Sequence, residues 1–202
     1  MDLPELYMIR HGLTEWNSID RYQGQKNSPL TETGRAQAAA VGRRLAEAVP
    51  RAAALPFFCS PLGRCRETAA LICRVVGLDP DRIRFDDRLM ERCYGHWEGH
   101  TYTEVDNRFA DERAARRKDP WNYLIPGGGE NFPMLQARVD AWLAEQPTTT
   151  PAIVVSHGML GKVFRARYRD LDAAALLALD EPQGVIIHLR DGEETILEGL
   201  AG

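Results

Sequence analysis

The chain has 202 residues, 44% of them hydrophobic and 27% charged, with 25 Lys+Arg against 29 Asp+Glu for a formal net charge of -4. That composition sets aside collagen-like, coiled-coil and disordered classes, and a domain of this size buries roughly 70% of the surface its unfolded form exposes, so neither disulfides nor metal are needed to hold it. The slightly acidic balance supplies no bulk reason to bind nucleic acid or an anionic membrane, so any positive charge for an anionic substrate must be gathered locally.

Residues 1–10 carry Asp2 and Glu5 and no basic n-region, so no signal peptide is expected. The longest apolar stretches, such as 173–179, are too short to span a bilayer, and the expected location is the cytoplasm. The run Leu6-Tyr7-Met8-Ile9 reads as a buried strand that stops at Arg10-His11-Gly12, and residues 13–31 are polar and turn-rich. Ala38, Val41, Leu45, Ala48 and Val49 fall at helical spacing and predict a helix over 32–49, ended by Pro50. A second buried strand is expected over 56–59. Ser60-Pro61 then reads as an N-cap and a first-position proline, opening a helix with Cys65, Ala69, Ile72 and Val76 on one face and Gly77 at its end. A third strand is expected over 83–85, with irregular chain through Gly99.

Residues 104–119 hold ten charged side chains in sixteen, which suits a solvated helix within a flap or cap insertion over 100–130. Pro126 to Gly129 is a loop, and 131–143 has weak helical periodicity. The run Ala152-Ile153-Val154-Val155 is the clearest strand; it enters Ser156-His157-Gly158 and a helix to about Tyr168. Two closing strands, 184–189 and 195–197, flank an Asp191-Gly192 hairpin signal. Cys59, Cys65, Cys73 and Cys93 show no C-x-x-C spacing and read as free thiols.

Strands alternating with helices predict one α/β domain over 1–202: a three-layer α/β/α sandwich with a largely parallel central sheet and a charged flap insertion. In such sheets ligands sit outside the carboxyl ends of the strands. Two strands end in His-Gly, at His11-Gly12 and His157-Gly158; as neighbours they would place both imidazoles in one crevice. A lone strand-end histidine is ordinarily a hydrogen-bonded structural residue. Here Arg10 adjoins His11 and Arg64 opens the helix after the second strand, so two guanidinium forks join the two rings in a pocket suited to a dianion. His96-Trp97-Glu98-Gly99-His100 lacks the continuous helix and the His-Glu order of a zinc motif, so no metal is expected there. Ser156 beside His157 is no hydrolase dyad, because neighbours on a strand point to opposite faces.

The segment Arg10-His11-Gly12-Leu13-Thr14-Glu15-Trp16-Asn17 resembles the opening Arg-His-Gly-x-Thr-x-Trp-Asn of the histidine phosphatase superfamily, also called phosphoglycerate-mutase-like. Similar family motifs follow in order: Gln23-Gly24, Pro29-Leu30-Thr31 with Gly34, Ser60 to Arg64 with Thr68-Ala69, Leu89-Met90-Glu91, Gly95 to Gly99, Pro126 to Glu130, and Ser156-His157-Gly158. The resemblance implies that His11 is the nucleophile, that Arg10, Arg64 and His157 hold the phosphoryl oxygens, and that Glu91 protonates the leaving group and then activates water. It further implies Asn17 as an extra phosphate ligand, Gln23 and Gly24 as pocket lining, and chemistry without cofactor or metal. The nucleophilic ring has to be neutral with its tautomer fixed, and the Glu91 carboxyl has to have a raised pKa.

Within the superfamily, Gln23-Gly24, Trp97-Glu98-Gly99 and the short chain are similar to the phosphatase branch. Glu91-Arg92-Cys93-Tyr94-Gly95 and Arg116-Arg117 are similar to mutase features, which makes Arg92, Tyr94, Arg116 and Arg117 candidate substrate-binding residues. Asn131 stands where the family usually has Ser. The expected function is hydrolysis of small phosphorylated metabolites, with a phosphoglycerate mutase-type transfer as first alternative. A non-catalytic phospho-ligand-binding module is the second, against which the retained nucleophile and acid speak. Nothing in the sequence points to a particular substrate or oligomeric state.

Overall fold

The computed structural model describes residues 3–49 and 51–200; Pro50, the expected end of the first helix, lies outside them. Strands β1 (Leu6–Arg10), β2 (Phe57–Cys59), β3 (Ile83–Phe85), β4 (Ala152–Ser156), β5 (Val185–Arg190) and β6 (Glu193–Glu198) form one sheet in the order β3-β2-β4-β1-β5-β6. The first four in that order run parallel, while β5 is antiparallel to β1 and β6 to β5. The helices are α1 (Glu32–Ala48), α2 (Gly63–Val76), α3 (Tyr102–Arg108), α4 (Ala110–Lys118), α5 (Phe132–Leu143), α6 (Gly158–Arg169) and α7 (Ala173–Ala178).

Alternate residues of the central strands feed two cores. Leu6, Met8, Ala152, Val154 and Phe58 pack with Leu135, Val139 and Trp142 of α5 and Leu160, Val163 and Phe164 of α6. Tyr7, Ile9, Ile153, Val155, Phe57 and Cys59 pack on the other face with Val41 and Leu45 of α1 and Cys65, Ala69 and Ile72 of α2. Covering both faces is why these strands read as unbroken apolar runs, and each large side chain so buried contributes about 1.5–3 kcal/mol. A third cluster, Tyr22, Tyr94, Trp97, Val105 and Ile125 with Phe109 and Tyr123, seats the α3–α4 segment beside the carboxyl ends of the strands. Helix α4, where the charges concentrate, buries none of its residues.

Two elements differ from expectation. Helix α2 starts at Gly63, not Pro61, and its N-cap Leu62 makes no side-chain bond. The Ser60 hydroxyl faces His157 instead, at 2.7 Å from Nε2, and Asn27 caps the helix from outside by accepting from Arg64 N at 2.9 Å. Helix α7 emerges from the 173–179 stretch, capped by Asp172, whose side chain accepts from Ala175 N. The Asp191-Gly192 turn has both residues at positive φ, 51° and 81°, the two-residue geometry expected between twisted antiparallel strands. Asn131 caps α5 by accepting from Met134 N, so the departure at this position retains a capping side chain. Among the described residues no helix is long and apolar enough to cross a membrane.

Candidate active site

The parallel register pairs Arg10 with Ser156, so the chain leaves β1 and β4 at the same level. His11 N donates to Ser156 O at 3.0 Å and Ser60 N to Val155 O at 3.0 Å, which sets His11, Ser60 and His157 side by side one residue beyond three adjacent strands. The two imidazoles meet edge to face, with centroids 5.3 Å apart. Gly12 serves packing: a Cβ there would stand 2.2 Å from the Gly34 carbonyl oxygen, so its absence is what lets α1 close on the loop.

Each ring has its tautomer assigned by its neighbours. His11 Nδ1–H donates to its neighbour's carbonyl, Gly12 O, at 2.9 Å, which leaves the Nε2 lone pair available. A guanidinium can only donate, so the 3.0 Å contact from Arg64 Nη2 makes His157 Nδ1 an acceptor and leaves the proton on Nε2, facing Ser60 Oγ. Burial, then the nearby Arg64 charge, hold both rings well below the usual imidazole range; for His11 the Arg10 charge is next. Burial and the two guanidinium charges therefore favour the neutral His11 ring, with the Nε2 lone pair unoccupied.

Arg64 is 1% exposed. Its Nη1 donates to Lys26 O and its Nη2 to Gly24 O, both at 2.7 Å. Its Nε has no partner among the described residues, and neither has the Nε of Arg10, although both are buried. The Nε of Arg21, in the same cavity, is likewise without a partner among these residues, and three such guanidinium donors at one site suit an anion, since buried polar groups are otherwise hydrogen-bonded. Arg10, Arg64, His11, Asn17, Gln23, Gly24, Glu91 and Tyr94 line one cavity of about 60 Å³, with Arg21, Tyr22, Tyr102 and Glu181.

Glu91 is 8% exposed. Its carboxylate accepts from Arg92 N at 2.8 Å, Met159 N at 3.1 Å and Leu160 N at 3.2 Å, the last two at the start of α6. Burial raises its pKa and the Glu181 charge adds to the rise, against the downward pull of those amide donors and Arg64; the net direction is up. The loop carrying it is clamped by Arg138, whose Nη1 donates to Arg88 O at 2.8 Å and Met90 O at 2.9 Å, and by Glu130, which accepts from Cys93 N at 2.8 Å. Glu98 ties the same loop to residues 25 and 26, accepting from Tyr94 N, Gln25 N and Lys26 N.

The remaining expected residues divide by position. Asn17 Oδ1 accepts from Thr14 N at 3.2 Å, and Gln23 Nε2 donates to Thr14 Oγ1 at 2.8 Å, so both are held beside the cavity they line. Tyr94 stacks obliquely on Tyr22 at 4.9 Å. Arg92 is fully buried away from that lining; its Nε donates to Glu130 O at 2.8 Å and its guanidinium lies over Phe132. Arg116 Nη1 donates to the Tyr22 hydroxyl at 3.4 Å and its guanidinium lies over Tyr94, both lining residues, while Arg117 is exposed and 4.0 Å from Asp106. His96 and His100 both pack on Phe109, and His96 Nε2 lies 2.8 Å from Glu112. Ser156 Oγ donates to Leu89 O at 2.9 Å, away from His157. Tyr22, Tyr102, Arg21 and Glu181 enter the lining unannounced; each lies in a loop or at a helix start with no periodic pattern, so only adjacency to Gln23 could have marked Arg21 and Tyr22.

The two suppressed imidazoles carry a stability consequence. Below pH about 6.5 the unfolded chain takes protons on both rings while the folded chain does not, so stability falls as pH falls through that value. The raised Glu91 carboxyl has the opposite sign and offsets at most one proton. The expected slope is about 1.4–2.7 kcal/mol lost per pH unit once the unfolded histidines are charged. Urea unfolding at pH 7.5, 6.5 and 5.5 measures it; a pH-independent free energy would show that the rings titrate normally.

A model of the Histidine phosphatase superfamily (branch 1) matches residues 6–198. The chain is 37% identical over 161 residues, 77% of its length and 70% of the relative's, to a Salmonella paratyphi C protein named Probable phosphoglycerate mutase GpmB. Its structure is similar to the alpha-ribazole phosphatase of Shigella flexneri, with TM-score 0.79 and 26% identity over 98% of this chain and 96% of the other. It is also similar to a mycobacterial glucosyl-3-phosphoglycerate phosphatase in complex with VO3, with TM-score 0.76 and 29% identity over 98% and 100% of the two chains.

Proposed function

Since the chain belongs to the histidine phosphatase superfamily (branch 1), we propose that it hydrolyses small phosphomonoesters through a phosphohistidine formed on His11. The observation that carries this reading is the set of partnerless guanidinium Nε atoms, on Arg10, Arg64 and Arg21, in side chains that line a cavity with the His11 ring. Phosphoryl transfer asks mainly for positioning and for charge stabilisation around an in-line displacement, and this set offers both.

In the first step His11 Nε2 attacks phosphorus, the P–O bond to the leaving group breaks, and protonated Glu91 gives its proton to the departing oxygen. In the second, the Glu91 carboxylate takes a proton from water, the water oxygen attacks phosphorus, and the N–P bond breaks to release phosphate and restore the neutral ring. Arg10 and Arg64 stabilise the equatorial oxygens and Asn17 adds a ligand. His157, which is not among the lining residues, orients Arg64 through Nδ1; its Nε2–H faces Ser60 Oγ here and would have to exchange that partner to reach the same oxygens. Tyr94 faces the leaving group, with the 100–130 segment acting as a cap over that side.

A mutase-type transfer is favoured by the Salmonella relative's name and by the Glu91-Arg92-Cys93-Tyr94-Gly95 run. Hydrolysis is favoured by access: Asn17 and Arg21 are partly exposed and Tyr102 is 46% exposed, so water reaches the cavity. The deciding measurement is inorganic phosphate released from glycerol phosphate, sugar phosphates and 3-phosphoglycerate. Net release from the monoesters is expected; isomerised phosphoglycerate without release indicates the mutase, and binding without turnover indicates the ligand-binding module. A reducing cytoplasm suits this reading, because all four cysteines are unpaired and Cys59, Cys65 and Cys73 are buried.

A further inference from the structure

Glu181 lies in the Asp180-Glu181-Pro182 loop between α7 and β5, and it lines the same cavity as His11, Arg10 and Arg64. Its main-chain carbonyl accepts from Arg10 Nη1. One oxygen of its carboxylate stands 3.9 Å from Arg10 Nη2, and the other 3.2 Å from Lys162 Nζ on the first turns of α6. Gly158 makes room for this arrangement: a Cβ there would stand 2.0 Å from Glu181 Oε2 and 3.2 Å from Arg10 Cζ. Arg10 thus has its two terminal nitrogens turned toward residue 181 while its buried Nε has no partner among the described residues.

We propose that Glu181 sets the affinity of the pocket by competing with phosphate for Arg10. The proposal rests on the reading of this cavity as the phosphoryl site. A phosphate that takes a two-pronged hold on Arg10 has to displace the carboxylate, because the guanidinium fork cannot serve both acids at full strength. Lys162 makes the exchange cheap: the displaced carboxylate keeps a cation at 3.2 Å and is not left buried and unpaired. The exchange runs backward on product release, when Glu181 reclaims Arg10 as phosphate departs. Dianion affinity is thereby held down, and turnover is relieved of a tightly retained product.

Calorimetric titration of inorganic phosphate into the wild type, Glu181→Gln and Glu181→Ala tests this directly, with the melting temperature of each protein recorded. Removing the competing charge is expected to tighten phosphate binding about fivefold, the scale of a partly exposed ion pair, and to lower the product-inhibition constant and KM by a similar factor without raising kcat. A residue that only supports the fold would weaken binding when altered. Unchanged or weaker phosphate binding in whichever of the two variants retains the wild-type melting temperature overturns the proposal. If both melt lower and neither binds phosphate more tightly, it is overturned as well. Because the readout is binding, a wild type that binds phosphate but never forms a phosphohistidine would remove the hydrolase reading and leave this one standing. A wild type with no phosphate affinity would remove both.

Discussion

His11→Ala is expected to lower turnover of every phosphomonoester by more than about 10⁴-fold, while the protein keeps its fold and its affinity for inorganic phosphate. The ring makes one hydrogen bond through Nδ1, to its neighbour's carbonyl, so its removal disrupts no network. It is also neutral, so no charge leaves the cradle; Arg10 and Arg64 retain their partnerless donors and still call for an anion. Rapid quench in alkali followed by mass spectrometry should find a phosphorylated wild-type chain, with the phosphate on His11, and none on the variant. Turnover within tenfold of wild type in His11→Ala would mean that the phosphoryl group goes directly to water.

Glu91→Gln should separate the two chemical steps. A carboxamide neither donates the proton a poor leaving group needs nor accepts one from water, so alkyl phosphates are expected to lose about 10²–10⁴-fold in kcat. A nitrophenyl phosphate needs no proton on its leaving oxygen, so the first step stays fast with that substrate while hydrolysis of the phosphohistidine stalls. Stopped-flow measurement should then show a burst of nitrophenol stoichiometric with enzyme, followed by slow turnover; the absence of both the burst and the steady-state loss would take the proton-transfer role from Glu91. The new amide also turns an N–H₂ group toward main-chain donors at Arg92, Met159 or Leu160, so a modest loss of stability, about 1–3 kcal/mol, should accompany the kinetic change.

Glu91 depends on its neighbours for its position. Arg138, Glu130 and Glu98 pin the loop that carries Glu91, and Arg92, which resembles a substrate-binding residue in sequence, belongs to that same framework through Glu130 O. A guanidinium buried over Phe132 with its Nε bonded to a carbonyl shapes the loop from behind. Arg116 and Arg117 part for a simpler reason: successive helix positions are about 100° apart, and the side of α4 that meets the lining residues Tyr22 and Tyr94 takes Arg116 while Arg117 goes to solvent near Asp106.

The sequence by itself determined the alternation of strands and helices, the two His-Gly strand ends and the arginines near them, because these follow from local rules: apolar periods of two and 3.6, and the change of residue type where a buried strand meets solvent. Tertiary structure decided what those residues do to one another. Arg64 is aimed by the carbonyls of Gly24 and Lys26, 40 and 38 positions away, and the His157 proton is assigned by Arg64 and Ser60, 93 and 97 positions away. Asn27 rather than Ser60 caps α2, and Glu181 arrives beside Arg10 from 171 positions along the chain. Such pairings depend on which loops cross at the carboxyl edge of the sheet, and they leave no periodic trace in the chain because each is a single contact made by an irregular segment.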